Sequence, residues 1–395
     1  MNDLNIGLLP TTHAVNAALL ARLAANLDLT QTQYERARSA YEAVSQVLAA
    51  DDRPALKHSR IVPHGSFALG TVIRPVNEED EFDVDLICRL QETASLEPAQ
   101  AKQLVGSCLK ADARYATKTE EKRRCWQIKY AGEFHLDVAP VVPATNSGDW
   151  IPDRDLKRWM PTNPEGYAQW FNALADAART ERLEETRVIK ADIEPFPVDP
   201  ADRGWLRRLI QLLKRHRDIW KNSLPPTHID FAPISIVITT LAGYTFARIR
   251  GEMRLSNPFE LLQAIVKEMP AEMMRLKQKD ESGREVWSLP NPSHPSENFA
   301  NRWNEAAEWV EAFFSWCTAL EGMFDTLEKS EGIDESIGEL QKSFGERVAN
   351  AAGRDYGDYI RKARETGNLK LTKAGLAASA AVAGTPVRQH TFYGD

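Results

Sequence analysis

The chain has 395 residues and a net charge of −7, from 49 Lys and Arg against 56 Asp and Glu. Charged residues make up 27% and hydrophobic residues 43%, a composition that excludes disordered and fibrous chains. The acidic balance argues against a protein that coats nucleic acid, because such binding requires clustered Lys and Arg. The length predicts two compact units, or one large unit with a long insertion.

The sequence does not show the patterns typical of a signal peptide, a membrane span or a disulfide framework. Residues 1–15 lack the basic start and apolar stretch of a signal peptide, and no run approaches the roughly 18 apolar residues of a membrane span. The cysteines and histidines are scattered and show neither a disulfide framework nor the spacing of a zinc site. We therefore expect a cytoplasmic protein without a membrane anchor or structural zinc.

The first half of the chain predicts a helix followed by a small mixed sheet. Residues 30–53 place apolar side chains at steps of three and four, which indicates one long amphipathic helix. In residues 59–142 the apolar residues no longer follow the helical spacing. This stretch suggests a short strand, a glycine turn, an alternating strand and a hairpin around Ala131 and Gly132.

The remainder is expected to be mainly helical. We predict helix over residues 150–190, with Pro164 near a helix start, and a domain junction in the proline-rich stretch 193–200. The Ala and Gly-rich composition from residue 374 onward is typical of a flexible tail. The predicted domains are a catalytic lobe at 1–200, a helical lobe at 201–373 and a tail at 374–395.

Three aspartates carry the strongest chemical signal. The alternation in the predicted strands leaves Asp83 and Asp85 on one face and turns Asp137 outward on a later strand. If these strands pair, the carboxylates converge, and at about 4 Å each pair repels by roughly 1 to 4 kcal/mol. Two Mg²⁺ ions held about 3.5 to 4 Å apart would neutralise that charge and serve a phosphoryl displacement. The alternative is that Asp83 and Asp85 are the solvated face of an edge strand.

A glycine and a serine upstream strengthen the catalytic interpretation. Gly65 and Ser66 follow the first predicted strand and precede a helical turn, and Asp83 comes 17 residues after Ser66. Glycine allows the backbone to approach a phosphate, and the serine hydroxyl is a hydrogen-bond donor. The combination of Gly-Ser, Asp-x-Asp on a strand and a third Asp on a later strand is specific.

This combination resembles the nucleotidyltransferase superfamily with a DNA polymerase β-type palm. Within it, the sequence is similar to the bacterial CD-NTases, relatives of cyclic GMP-AMP synthase and oligoadenylate synthetase that make cyclic oligonucleotide signals in antiphage CBASS systems. The similar segments are HGSFALGTVIRP, FDVDLI, FHLDVAPVVP, IPDRDLKRWMPTNPEGYAQWF, LIQLLKRHRDIW, PISIVITTLAG and NPSHPSENFANRW. The resemblance implies an α+β fold: a palm with a mixed sheet and a long N-terminal spine helix, an α-helical C-terminal lobe, and an active site in the cleft between them.

The resemblance also assigns roles to the three aspartates and to the Gly-Ser pair. It implies that Asp83, Asp85 and Asp137 hold two Mg²⁺ ions, with Mn²⁺ as an alternative metal. Asp137 would lie nearest the attacking ribose hydroxyl and polarise it, as a general base or through the metal. Gly65 and Ser66 would contact the donor triphosphate.

Further residues are implied for the phosphates and for the rim of the site. Lys214 and Ser235 would reach the β and γ phosphates, although the many arginines between Arg203 and Arg217 leave open that Lys214 lies on a solvated helix face. His64 and His135 are interpreted as hydrogen-bonded histidines at the rim of the site.

The activity implied by the resemblance is synthesis of a cyclic di- or oligonucleotide from ATP, GTP or both, with release of pyrophosphate. No long nucleic acid is expected as a partner. The product would diffuse to a CBASS effector, and an ubiquitin-transfer-like protein is a candidate partner for the tail. Two alternatives stay open: a nucleotidyltransferase that extends RNA or modifies a protein or small molecule, and a binding module without turnover.

Overall fold

The computed structural model describes most of the chain. The described residues are 11–77, 80–91, 96–144, 148–155, 157–176, 204–252, 258–372, 375–378 and 384–387. The proline-rich stretch 193–200 lies outside them, and so does Arg203. The domain junction expected at those prolines therefore stays a prediction.

Helices and strands alternate in the first half of the described chain, and helices dominate the second. The helices are α1 (Thr11–Ala25), α2 (Gln31–Ala49), α3 (Pro54–Lys57), α4 (Gly65–Leu69), α5 (Pro98–Ala111), α6 (Pro164–Asp176), α7 (Gly204–Trp220), α8 (Ser235–Glu252), α9 (Pro258–Arg275), α10 (Ala307–Lys329), α11 (Ile333–Phe344) and α12 (Glu346–Glu365). The strands are β1 (Arg60–His64), β2 (Phe82–Arg89), β3 (Thr119–Glu121), β4 (Trp126–Tyr130), β5 (Phe134–Pro143), β6 (Asp149–Asp153), β7 (Arg158–Thr162), β8 (Gln278–Lys279), β9 (Glu285–Val286), β10 (Pro290–Asn291), β11 (His294–Asn298), β12 (Leu369–Thr372), β13 (Gly375–Ala378) and β14 (Thr385–Pro386).

The chain divides into two compact units, each built from separate stretches of sequence. The sheet unit comprises Asp28–Arg207 and Lys277–Asn304. The helical unit comprises Met1–Leu27, Arg208–Leu276 and Glu305–Asp395. The α1 helix groups with the helical unit because its buried leucines pack against α9, α10 and α12. The continuous domain bounds expected from sequence stay a prediction.

The sheet unit is built around strands in the order β1-β2-β5-β4-β3, with the β6 and β7 hairpin attached to β5. Strands β2 and β5 are parallel, and the other pairs are antiparallel. Alternating residues of β2 and β5, including Val84 and Leu136, are fully buried in one core with Tyr41 and Val44 of α2. Helices α2 and α5 cover that face. The opposite face carries Asp83, Asp85 and Asp137, and farther along the strands a smaller apolar cluster of Val62, Ile87 and Val141.

The predicted long helix and hairpin are confirmed. Thr30 caps α2 through a reciprocal capping box with Gln33, which explains why the helix begins at Gln31. Tyr130 and Phe134 are the register pair that closes the turn between β4 and β5, around Ala131 and Gly132.

The prediction of helix over residues 150–190 was wrong for residues 150–163, and its last part, residues 177–190, lies outside the described residues. The first of these stretches forms the β6 and β7 hairpin, in which Trp150 lies opposite Pro161 and Pro152 opposite Trp159. Two prolines and several β-forming aromatic and branched residues oppose a helix here, and spacing alone did not reveal it. The predicted helix start at Pro164 is confirmed, since α6 begins there.

Helix α8 contributes apolar side chains to the core of the helical unit. Its residues Val237, Ile238, Leu241 and Ala242 are completely buried. Within the described residues, the stretch Ile229–Arg250 is long and apolar enough by length and composition to cross a membrane, which the sequence analysis did not expect. Because 61% of its most apolar window is buried inside the fold, the same composition also suits the core helix of a soluble protein.

Part of the segment expected to be a flexible tail forms strands instead. Strand β12 pairs antiparallel with both β13 and β14, and these two strands lie within the predicted tail. The pairing is made by backbone N–H and C=O groups, so the small side chains of this stretch do not prevent it.

Candidate active site

The parallel register of β2 and β5 brings the predicted aspartates together. Asp85 lies directly opposite Asp137, and Asp83 lies opposite His135. Strand β2 is bordered by β1 on one side and β5 on the other, so the edge-strand alternative is wrong. Asp83 is exposed, while Asp85 and Asp137 are half-buried. The carboxylates therefore form an acidic patch on the open face of a central pair of strands.

Gly65 packs against this patch from the end of β1. The residue before it, His64, pairs with Asp85 across β1 and β2. Gly65 has φ +59, and a Cβ atom there would lie 1.9 Å from Oδ2 of Asp85. Glycine is thus required for its left-handed backbone and for the space that the Asp85 carboxylate takes. Ser66 follows in the first turn of α4, and this helix contacts β2, the strand that carries Asp83 and Asp85.

Asp137 is held by two neutral side chains of β4 and the turn before it. Nε2 of Gln127 donates a hydrogen bond of 3.0 Å to Oδ1 of Asp137. The Cys125 thiol lies 3.4 Å from Oδ2 of the same carboxylate. Burial, reinforced by the Asp137 charge, raises the pKa of Cys125, so the sulfur stays protonated and acts as the donor. Both oxygens of Asp137 therefore have a partner on β4 or at its start.

Sequence reasoning missed Gln127 and Cys125. The hairpin register contained the signal, because a turn around Gly132 that pairs Tyr130 with Phe134 also pairs Gln127 with Asp137. An alternating strand then places the Gln127 side chain on the same face as Asp137.

The structure gives His135 a carboxylate partner and His64 a buried ring, and the expected rim role of both stays a prediction. Nε2 of His135 lies 2.7 Å from Glu81, whose other oxygen accepts a 2.8 Å hydrogen bond from the Gly132 N–H. Burial lowers the pKa of His64 to about 4, so this ring is neutral at pH 7. His64 is therefore not a cation at that pH.

Lys214 and Ser235 belong to the helical unit, each in a different helix. Lys214 in α7 is 7% exposed, so the interpretation as a solvated helix face is wrong. Ser235 begins α8, and Nη2 of Arg217 lies 3.4 Å from its hydroxyl. Arg217 also pairs with Asp218 at 2.7 Å. Lys214 and Arg217 are one helical turn apart. That these residues and the acidic patch share one cleft stays a prediction.

The arginines at the start of α7 are engaged by protein groups. Arg207 is 6% exposed and bonds to the main chain of α4 and to two side chains of α6. Arg208 donates to the Ala24 carbonyl and to Gln211. Both arginines therefore have protein partners, and Arg207 is buried rather than solvated.

The donor chemistry of the acidic patch fits Mg²⁺, which prefers carboxylate oxygens. The register places Asp85 and Asp137 on neighbouring strands, with Asp83 on the same face. As the side chains stand, however, no three His, Cys, Asp or Glu groups among the described residues are arranged to hold a metal ion. Gln127 and Cys125 each donate to one oxygen of Asp137, which leaves further lone pairs on both oxygens, and rotation of the aspartate side chains would bring the three carboxylates to one ion.

Comparison with known sequences places this chain in a defined group of proteins. Residues 15–174 match the family model of the Second Messenger Oligonucleotide or Dinucleotide Synthetase domain. The chain is 30% identical over 387 residues to a c-di-GMP synthase from Roseivirga ehrenbergii, covering 95% of this chain and 96% of the relative. It is 23% identical to the cyclic dinucleotide synthase CdnG of Bradyrhizobium diazoefficiens, covering 96% of this chain and 94% of that one.

Comparison with solved structures supports the fold. The structure of the Bradyrhizobium diazoefficiens CD-NTase CdnG in complex with GTP aligns with a TM-score of 0.64 at 21% identity, covering 87% of this chain and 99% of that one. The likeness bears out the expected α+β architecture of a nucleotidyltransferase.

Proposed function

The chain belongs to the bacterial CD-NTase family of nucleotidyltransferases, and we propose that it joins NTPs into a cyclic dinucleotide with release of pyrophosphate. The observation that carries the proposal is the acidic patch, in which Asp85 and Asp137 are register neighbours and Gly65 packs against Asp85. GTP is the first substrate to test, because one relative is a c-di-GMP synthase and another is solved with GTP.

In the proposed reaction, a ribose hydroxyl of one nucleotide attacks the α phosphate of another. An oxygen–phosphorus bond forms, the bond to the pyrophosphate group breaks, and the hydroxyl proton passes to Asp137. A second transfer within the linear intermediate closes the ring. Asp137 suits this role because it faces the open side of the sheet, and Gln127 and Cys125 orient both its oxygens.

We propose Mg²⁺ as the metal, held by Asp83, Asp85 and Asp137, with Mn²⁺ as an alternative. Bound in pairs, such ions stabilise the charge of the attacking and leaving oxygens. Gly65 and Ser66 would contact the donor triphosphate, and Lys214 and Ser235 its β and γ phosphates. Lysine suits this task as a compact point charge.

Product analysis tests the proposal. Purified protein is incubated with GTP, with ATP and with both, in Mg²⁺ or Mn²⁺, and the phosphatase-treated products are identified by mass spectrometry. We expect phosphatase-resistant cyclic dinucleotide, and loss of the product in Asp83→Asn, Asp85→Asn and Asp137→Asn with unchanged melting temperature within a few degrees. Full activity of any of these variants would contradict the assignment. Labelled RNA or protein would favour a related transferase, and NTP binding without product would favour a binding module.

We propose the cytoplasm as the location and antiphage signalling as the setting, with an effector reached by the diffusible product. An ubiquitin-transfer-like protein remains a candidate partner for the C-terminal residues. Deleting residues 388–395, which follow β14, should leave synthesis unchanged and remove binding of such a partner, and unchanged binding would contradict this part of the proposal.

A further inference from the structure

Helix α4 is too short to be stable by itself. It has five residues, Gly65–Leu69, whereas isolated helices in water need about 12 to 15 residues to be even marginally stable. Its position beside Asp85 must therefore be maintained by contacts with the rest of the sheet unit.

The carbonyl groups at the end of α4 show where those contacts are. The Ser66 carbonyl accepts a 2.8 Å hydrogen bond from the Thr71 N–H, and the Phe67 carbonyl accepts one of 3.2 Å from the Gly70 N–H. The next two carbonyls are bonded by side chains from distant parts of the sequence. Nδ2 of Asn172 donates to Ala68 at 3.3 Å, and Nε of Arg207 donates to Leu69 at 3.1 Å.

Arg207 joins α4 to α6. Besides its bond to Leu69, its guanidinium donates to Asp176 at 2.8 Å and to the Asn172 amide oxygen at 3.0 Å. Arginine can make these three bonds at once because its donors project from a rigid plane. Asn172 uses its oxygen for Arg207 and its nitrogen for Ala68, so the two side chains form one connected network.

We propose that Arg207 and Asn172 are positioning residues that fix Gly65 and Ser66 beside the catalytic carboxylates. This inference rests on the proposed function, in which Gly65 and Ser66 contact the donor triphosphate. Both residues bind the carboxyl end of α4, opposite the end that carries Gly65. Their effect on the nucleotide is therefore indirect, through the orientation of a helix of five residues.

A direct role of Arg207 in binding phosphate fits the structure less well. The side chain is 6% exposed, and its donors already serve a carbonyl, an amide and a carboxylate. Arg208 provides a matched control for charge. It is the next residue of the same helix, and its bonds go to Ala24 and Gln211 instead.

The test compares Arg207→Met, Asn172→Ala and Arg208→Met in the full-length protein. Deuterium exchange of the amides in residues 65–71 reports the position of α4. Affinity for a non-hydrolysable GTP analogue, together with KM and kcat for GTP, reports the consequence for the site. Melting temperature identifies any general loss of stability.

For Arg207→Met we expect faster exchange in residues 65–71, a KM roughly tenfold higher and a kcat reduced by less than about threefold, because a shift of about 1 Å is enough to weaken a positioned contact. Asn172→Ala should show the same pattern more weakly, and it provides the test if Arg207→Met does not fold. Arg208→Met should change neither exchange nor KM.

Two results would overturn the proposal. One is a lower melting temperature in Arg207→Met and Asn172→Ala with unchanged exchange in residues 65–71 and unchanged KM, which indicates a structural role alone. The other is an equal rise of KM in Arg208→Met, which indicates an effect of charge. If the wild-type protein makes no cyclic product, the proposed function fails, while exchange and analogue binding still decide the role of Arg207.

Discussion

Gly65 and Asp85 are packed so closely that a methyl group would not fit between them. A Cβ atom at position 65 would lie 1.9 Å from Oδ2 and 2.7 Å from Cγ of Asp85. Contacts below 3.0 Å are essentially never made by a Cβ atom, so either the carboxylate or the α4 backbone would have to move. The glycine thereby ties the start of α4 to the position of a predicted catalytic group.

We therefore expect Gly65→Ala to lower activity by at least about 100-fold, since displacement of a reacting group by about 1 Å has effects of this size. The φ of +59 adds a stability cost of roughly 1 to 2 kcal/mol for a residue with a Cβ atom. Gly283→Ala is the matched control, because Gly283 has φ +81 but nothing lies within 4 Å of its added Cβ. Product formation and urea unfolding of both variants check the prediction. Equal activity in the two would contradict it.

Gln127 should influence catalysis through Asp137. Gln127→Leu removes the 3.0 Å hydrogen bond to Oδ1 at similar volume, and we expect kcat to fall roughly 10- to 100-fold, as is typical for groups that orient a metal-binding side chain. Lys129 lies two residues after Gln127 on the same face of β4. The control variant Lys129→Leu should therefore retain near wild-type kcat. The measurement is kcat with the Mg²⁺ concentration for half-maximal activity. An unchanged kcat in Gln127→Leu would refute this role.

Cys125 provides a second, independent test of the Asp137 environment. Cys125→Ser retains a donor near Oδ2 of Asp137, whereas Cys125→Val removes it at similar size. We expect the serine variant to keep most of the activity and the valine variant to lose about tenfold. Similar activities of the two variants would show that the hydrogen bond from Cys125 does not matter.

Lys214 and Ser235 are expected to act on nucleotide affinity. Lys214→Met and Ser235→Ala should raise the KM for GTP by roughly tenfold or more, because charge-assisted hydrogen bonds to phosphate are strong. Steady-state kinetics together with melting temperatures separate an effect on nucleotide binding from a role in packing. The distinction matters because Lys214 is only 7% exposed, as residues of the core are. A lower melting temperature with an unchanged KM would assign Lys214 to the core.

Stability of the fold should decrease in mild acid because of His216. Burial lowers the pKa of His216 to about 4, and its Nδ1 accepts a 3.1 Å hydrogen bond from the indole N–H of Trp316, which requires the unprotonated nitrogen. The unfolded chain takes up a proton near the ordinary pKa of about 6.5. The stabilisation is therefore complete above that pH and is lost as the pH falls toward 4.

At pH 5 the expected loss from His216 is about 2 kcal/mol relative to pH 7.5. Urea unfolding of the wild type and of His216→Asn at both pH values checks this, since asparagine keeps an acceptor near Nδ1 but does not titrate. The variant should show a smaller difference between the two pH values. It retains the contribution of His64, whose pKa is also lowered to about 4. An equal difference in both proteins would contradict the assignment to His216.

Local periodicity was sufficient to predict the strands that carry the three aspartates. An alternating strand must place Asp83 and Asp85 on one face. In the hairpin around Gly132, the same alternation places Asp137 on the face of its register partner Gln127. Helix α2 was equally predictable, because its apolar residues recur at helical spacing and Thr30 caps it. Such features depend on residues close together in sequence.

The hairpin of β6 and β7 shows where local reasoning fails. Aromatic residues such as Trp150 and Trp159 occur in both helices and strands, so their spacing did not distinguish the two. The segment forms strands because β6 pairs with β5 on one side and with β7 on the other. The strands near the end of the chain were missed for a similar reason. Backbone pairing with β12 does not require the bulky side chains whose absence suggested a tail.

The sequence by itself determined which residue types could perform the chemistry and which face of each strand would carry them, because side-chain alternation is a property of the backbone. Only the tertiary structure decided the neighbours of those residues. Gly65 meets Asp85, and Arg207 reaches the Leu69 carbonyl across 138 positions of sequence. Hydrogen bonds between such distant segments are set by the packing of complete elements, which no local pattern records.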